Sequence, residues 1–203
     1  MRGWLDAAMI SSSPLPHVVP AGRMAQLEQP ASGCPAGGSC APWHLSDADA
    51  LVAAGQDQAI RRWNRLLVNS PEEACKRIER MHQRWQAELS AIWAIARPGG
   101  EAKGLIGWGD IDLRGGSAEI VYWLLPAARG GAVAVEAAER VSHWALNDLG
   151  LHRLRLCHSV ANPASCRVAD KAGYSLEGTM RSVLLHADGC HDQHLHALVQ
   201  GDI

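Results

Sequence analysis

Four short stretches of this chain carry residue types that suit chemistry. Arg129-Gly130-Gly131-Ala132-Val133-Ala134 follows an apolar strand and opens a helix. The free N–H groups and positive dipole end of a helix start form a pocket for a pyrophosphate. Glu119 stands near the beginning of the apolar run AEIVYWLL. A carboxylate there is costly without a purpose, and a general base for a nucleophile such as an amine is one. Asn162-Pro163-Ala164-Ser165 places an amide and a hydroxyl at a helix start, where either side chain suits a cap. Cys190, Asp192, His194 and His196 alternate along a strand and share one face, a set of types that binds zinc. Ligands two residues apart on one strand rarely converge on a metal unaided, and no second cluster supplies the rest. The expectation is therefore no metal. The stripe reads as a solvated or hydrogen-bonded face, with His194 a candidate acceptor contact or auxiliary base.

These residues need elements to hold them. Residues 1–39 are rich in Pro, Gly, Ser and Ala without periodicity, and read as a flexible tail before a domain of residues 40–203. A strand near Cys40 leads to two helical stretches. Ser70-Pro71-Glu72-Glu73 then starts a helix with a capping box, and Ala74, Ile78, Met81 and Trp85 fall on one face of it. Ile92 to Arg97 alternates as a strand, Pro98-Gly99-Gly100 turns, and Leu105 to Leu113 and Ala118 to Leu125 are two more strands. A helix with Ala134, Ala137, Ala138, Val141 and Trp144 inward ends at Gly150. A strand from Arg153, a short helix from Asn162 and a hairpin turning at Asp188-Gly189 complete the chain. The fold class is α/β: a mixed, mostly antiparallel sheet of six to seven strands flanked by about four helices. The strands on either side of the crossover helix should be parallel.

Bulk properties narrow the function. A length of 203 residues fits one domain, and a net charge of −2 gives no case for wholesale nucleic-acid binding. The 6 cysteines form no CxxC pair and read as reduced thiols in a cytoplasmic protein. No apolar run approaches a membrane span, and the first residues lack the apolar core of a signal peptide.

Taken in order, EIVYWLLP, ARGGAVAVEA and NPASCRVADKAGYSLEG resemble the core of the GNAT superfamily of CoA-dependent N-acetyltransferases, in its Rim-type subgroup. The resemblance covers roughly residues 40 to 199. It implies acetyl-CoA or another acyl-CoA as co-substrate, held by Arg129, Gly130, Gly131, Ala132, Val133 and Ala134, with Arg167 nearby. Ala132 departs from the glycine that the family prefers in that loop. By resemblance, Asn162 holds the pantetheine arm and Ser165 protonates the departing thiolate. Amides near Leu124 and Leu125 polarise the acyl carbonyl, and Glu119 is the base. Transfer is direct, so neither Cys157 nor Cys166 is a nucleophile. The early helices shape the acceptor site, so Trp63 and Trp85 should line it, with Tyr122 beside them. The acceptor is an amine of a small molecule or a protein N-terminus, and the protein a monomer or homodimer. Two alternatives stay open: a donor other than CoA, such as aminoacyl-tRNA, and a non-catalytic acyl-CoA-binding module.

Overall fold

The computed structural model describes residues 16–33, 39–96 and 100–202. The expected turn at Pro98-Gly99-Gly100 lies largely outside them, as do residues 1–15 of the expected tail. Eight strands form one open sheet, β1 (Ser32–Gly33), β2 (Ser39–Pro42), β3 (Ala91–Ala96), β4 (Ala102–Asp112), β5 (Ser117–Leu124), β6 (Arg153–Ser159), β7 (Ser175–His186) and β8 (Gly189–Val199). Their spatial order is β1-β2-β3-β4-β5-β6-β8-β7. Among the described residues only β5 and β6 run parallel, as the crossover helix between them requires. The terminal hairpin inserts β8 between β6 and β7. The helices are α1 (Ala48–Gln56), α2 (Gln58–Asn64), α3 (Pro71–Gln86), α4 (Val133–His143) and α5 (Pro163–Lys171). One further π-helical turn, Trp144–Leu149, extends α4 to Gly150.

Local chemistry sets the boundaries. The Ser70 hydroxyl accepts from the Glu73 amide, and the Glu73 carboxylate reaches back to the Asn69 amide. Ala74, Ile78, Met81 and Trp85 are the buried face of α3, as the spacing requires. Strand alternation then sorts side chains to two cores. Ala118 and Ile120 face α4, while Trp123 joins α1–α3 on the opposite side. Trp85, Trp93, Trp108 and Trp144 interlock at ring distances of 5.2 to 6.2 Å. Each such ring buries a large apolar area, and the tilted and edge-on pairs add to it. This cluster corrects the expectation for Trp85: it is 4% exposed and is core, not acceptor lining.

The packed structure also begins before residue 40. Val19 and Met24 are buried in the main core, and the Trp93 indole N–H donates to the Pro30 carbonyl. The Glu88 carboxylate accepts from the amides of Gly22, Met24 and Ala25 at 2.7, 2.7 and 3.2 Å. Composition pointed to a tail because these groups are held by partners more than 60 residues away. Removing the carboxylate leaves three half-buried amides without their acceptor. Glu88→Ala should therefore cost about 3 kcal/mol. In denaturant unfolding the midpoint should fall while the slope stays unchanged. Among the described residues no helix is long and apolar enough to cross a membrane.

Candidate active site

The sheet splits in its centre. β5 and β6 pair only from Ser117↔Arg153 to Glu119↔Arg155. Beyond Glu119, β5 stays with β4 while β6 pairs with β8, leaving an open edge on β5. The Leu125 amide donates to the Lys103 carbonyl at 2.8 Å. Alternation of the antiparallel ladder then turns the Leu124 amide the other way, toward the split. Of the two amides expected to polarise an acyl carbonyl, Leu124's is the one turned toward the split. Leu125's is spent on the sheet.

The loop after β5 ends at the N-terminus of α4. Gly130 takes the left-handed step, with φ of 86°, and a side chain there would meet open space. Ala132 lies in right-handed backbone, with φ of −78°. Its methyl group is unstrained, because the one positive φ in the loop falls on Gly130. No side chain caps α4, so the Val133, Ala134 and Val135 amides have no intrahelical acceptor. This is the arrangement that binds a phosphate group.

Arg129, expected beside the phosphate, makes two contacts within the protein. Its Nε donates to the Leu124 carbonyl at 3.0 Å, and its Nη2 reaches the Asp57 carboxylate at 2.7 Å. It straps the loop to the start of α2, where Asp57 also accepts from the Ile60 amide. Burial pushes the Asp57 carboxyl up, but the Arg129 guanidinium and the Ile60 amide outweigh it and hold the group below its usual value. Gly130→Val should place a β-branched residue at φ of 86° and distort the loop, weakening acetyl-CoA binding about tenfold. A binding titration with circular dichroism as the folding control checks this.

Across the split, Asn162 caps α5, its Oδ1 accepting from the Ser165 amide at 3.2 Å. Ser165 is buried, and its hydroxyl lies 2.6 Å from the Tyr122 hydroxyl. Tyr122 was expected beside the acceptor. Even-numbered β5 residues face α4 and α5, so it meets Ser165 instead. Burial pushes the phenol up to about 12, although the Ser165 contact works against this. The phenol therefore stays protonated at neutral pH and can pass a proton through Ser165. Arg167, two residues further along α5, is exposed.

Glu119 projects from the other face of β5. Its carboxylate is half-buried and 3.9 Å from the Arg155 guanidinium, which is itself bonded to Asp110 at 2.6 Å. Burial raises the Glu119 carboxyl above its usual value, Arg155 opposes this, and Asp110 reinforces it. The Cys157 thiol beside it is pushed up to about 11, chiefly by burial, so it is no thiolate nucleophile. On the same side, α2 meets the β7–β8 hairpin. Trp63 stands edge-on to His186 and His191 at 5.5 and 6.3 Å, and Arg62 bonds Asp188 at 2.8 Å. A cleft of about 760 Å³ opens there, lined by Arg61, Arg65, Leu67 and Leu185 among others.

His194 does not join that cleft. It pairs with His158 in register, which sends both rings to the α5 face, opposite Glu119. Sequence reasoning missed His158, Asp57 and the Tyr122–Ser165 contact. The only signal for the last was the even spacing of Tyr122 from Ala118 on one strand face.

Residues 41–175 match the family profile described as Acetyltransferase (GNAT) domain. A Bacillus subtilis (strain 168) protein, YdaF, is 29% identical over 109 residues, 54% of this chain and 59% of the relative, so the chain spans less than two thirds of it. The ribosomal-protein-serine acetyltransferase of Escherichia coli (strain K12) is 28% identical over 135 residues, 65% of this chain and 73% of that protein. A solved structure of RimL, a ribosomal L7/L12 α-N-protein acetyltransferase in complex with coenzyme A, aligns with a TM-score of 0.74 and 19% identity. That alignment covers 86% of this chain and 99% of the other. The split sheet, the uncapped helix and the family match over most of the chain agree: this protein belongs to the GNAT acetyltransferase family.

Proposed function

We propose that the protein transfers an acetyl group from acetyl-CoA directly to a primary amine, with the α-amino group of a protein or peptide as acceptor. The observation that carries this reading is the placement of three groups around one split. The Tyr122–Ser165 pair and the uncapped end of α4 lie toward one face, and Glu119 lies toward the other. Acetyl-CoA supplies the activated acyl carbon. The α4 amides hold its pyrophosphate, and the Leu124 amide stabilises the oxyanion that develops on the acyl oxygen. Glu119 takes the proton that the amine loses, directly or through one water. Ser165, backed by Tyr122, gives a proton to the departing thiolate. No covalent acyl-enzyme is needed.

Relatives named as ribosomal-protein acetyltransferases support a protein amine as acceptor. The α2–hairpin cleft of about 760 Å³ is a volume that a peptide end could occupy, and Trp63 packs edge-on against His186 in its wall. Ala132 stands in unstrained right-handed backbone, so its departure from the family's glycine leaves the loop able to take CoA. A cytoplasmic setting belongs to the same proposal. The test is to incubate the purified protein with acetyl-CoA and a panel of peptides with free or blocked N-termini, plus small amines. Mass spectrometry and thiol release are then read together. Acetylation at free N-termini with equal thiol release is expected. Thiol release without acetylated amine, or neither, would overturn the proposal.

A further inference from the structure

On the α5 face, away from Glu119, three histidines and one cysteine converge. One donor atom each from His158 on β6, Cys166 on α5, and His194 and His196 on β8 lie within 4.8 Å of one another. The register explains the meeting. His158 pairs with His194, and Leu156 pairs with His196, so all three imidazoles stand on one sheet face. α5 packs on that face and brings the Cys166 thiol over them. The strand stripe alone does not converge; β6 and α5 supply what it lacks. His158 and His196 are buried, while His194 and Cys166 are half-buried and leave an entry path.

The nearby carbonyls favour one tautomer of each ring. His158 Nδ1 lies 2.8 Å from the Ser159 carbonyl, and His196 Nδ1 lies 3.4 Å from the Tyr174 carbonyl. A carbonyl only accepts, so each Nδ1 carries the hydrogen. Each neutral ring then presents a lone pair at Nε2, and the two Nε2 atoms face each other at 3.3 Å. Two lone pairs at that distance repel unless a cation lies between them. A shared proton would satisfy this pair alone. His194 Nδ1 is buried and has no hydrogen-bond partner among the described residues. The Cys166 thiol reaches only Asp170, at 3.9 Å. The Asp170 carboxylate also stands 3.8 Å from His196 Nδ1, where an outer carboxylate orients a ligating imidazole.

We propose that His158, Cys166, His194 and His196 form a structural zinc site. Three imidazoles and a thiolate suit zinc, which prefers four such ligands in a tetrahedron. Bond lengths of about 2.1 Å to nitrogen place two ligating nitrogens about 3.4 Å apart. The two Nε2 atoms already stand close to that spacing at 3.3 Å, and the widest pairs need to close by at most about 1.4 Å. Binding displaces the Cys166 thiol proton to solvent and forms the zinc–sulfur bond. All four positions are filled by protein, so the metal takes no part in transfer. It staples α5 to β6 and β8 one residue from Ser165, and so fixes the Ser165 hydroxyl against Tyr122.

The test reads the metal without reference to acetyl transfer. The full chain, freed of any histidine tag, is analysed for zinc, then stripped with a chelator and titrated with zinc and with cobalt. One metal per chain is expected. Cobalt should show the visible bands of tetrahedral coordination and a thiolate charge-transfer band. Cys166→Ser should abolish the charge-transfer band and weaken zinc roughly 100-fold or more, and His194→Gln should weaken zinc comparably. Cys157→Ser and Cys190→Ser should change neither, and circular dichroism confirms that each variant is folded. Failure to hold zinc or cobalt against an equimolar weak chelator would overturn the site. So would a cobalt spectrum that Cys166→Ser leaves unchanged.

Discussion

Glu119→Gln should lower kcat/KM for an amine acceptor by about 10²- to 10⁴-fold, with acetyl-CoA binding little changed. The amide keeps the shape of the side chain but cannot accept the proton that the amine loses. The pH profile separates this role from a merely structural ion pair with Arg155. Burial raises the folded carboxyl above its ordinary value, so below that raised value Glu119 is protonated and cannot act as a base. Activity should therefore fall on the acid side at a pH above the ordinary value of a glutamate carboxyl. Glu119→Gln should remove that limb and leave a slow rate that climbs with pH as free amine accumulates. A variant that keeps both the wild-type rate and the wild-type acid limb would show that the base lies elsewhere.

Tyr122→Phe and Ser165→Ala should each lower kcat by about 10²-fold, and the double variant should lose little more than either single one. The two hydroxyls are 2.6 Å apart and act on one proton, so removing either breaks the same path. If they worked independently, their losses would multiply. The comparison is made on kcat at saturating acetyl-CoA. Tyr122→Phe keeps the ring and its packing, which limits any effect on folding. A donor whose leaving thiol is more acidic should restore much of the lost rate, because its thiolate needs no proton to depart.

What the sequence revealed follows from the range of each interaction. The α3 start was legible because Ser70, Pro71 and Glu73 act within one turn. The parallel pair was legible because a crossover helix leaves one handed solution. The glycine loop was legible as an anion site, yet the task of Arg129 was not. Its partner, Asp57, is 72 residues away and has no local signature. The same limit hid Glu88, whose carboxylate organises residues 22–25, so that a segment read as a tail is packed structure. The resemblance puts Trp85 at the acceptor through the early helices, whereas the periodicity of α3 places it on the apolar face with Ala74, Ile78 and Met81, where it is buried. His194 was assigned to the acceptor cleft. Alternation put it with His196 on one face, but only pairing with β6 decides which core that face meets.

Calorimetric titration of the full chain with acetyl-CoA tests the central claim most directly. Saturable one-to-one binding is expected, weakened about tenfold by Gly130→Val and little changed by Glu119→Gln. No saturable binding, or binding indifferent to Gly130→Val in a folded variant, would contradict the assignment of the α4 loop as the donor site.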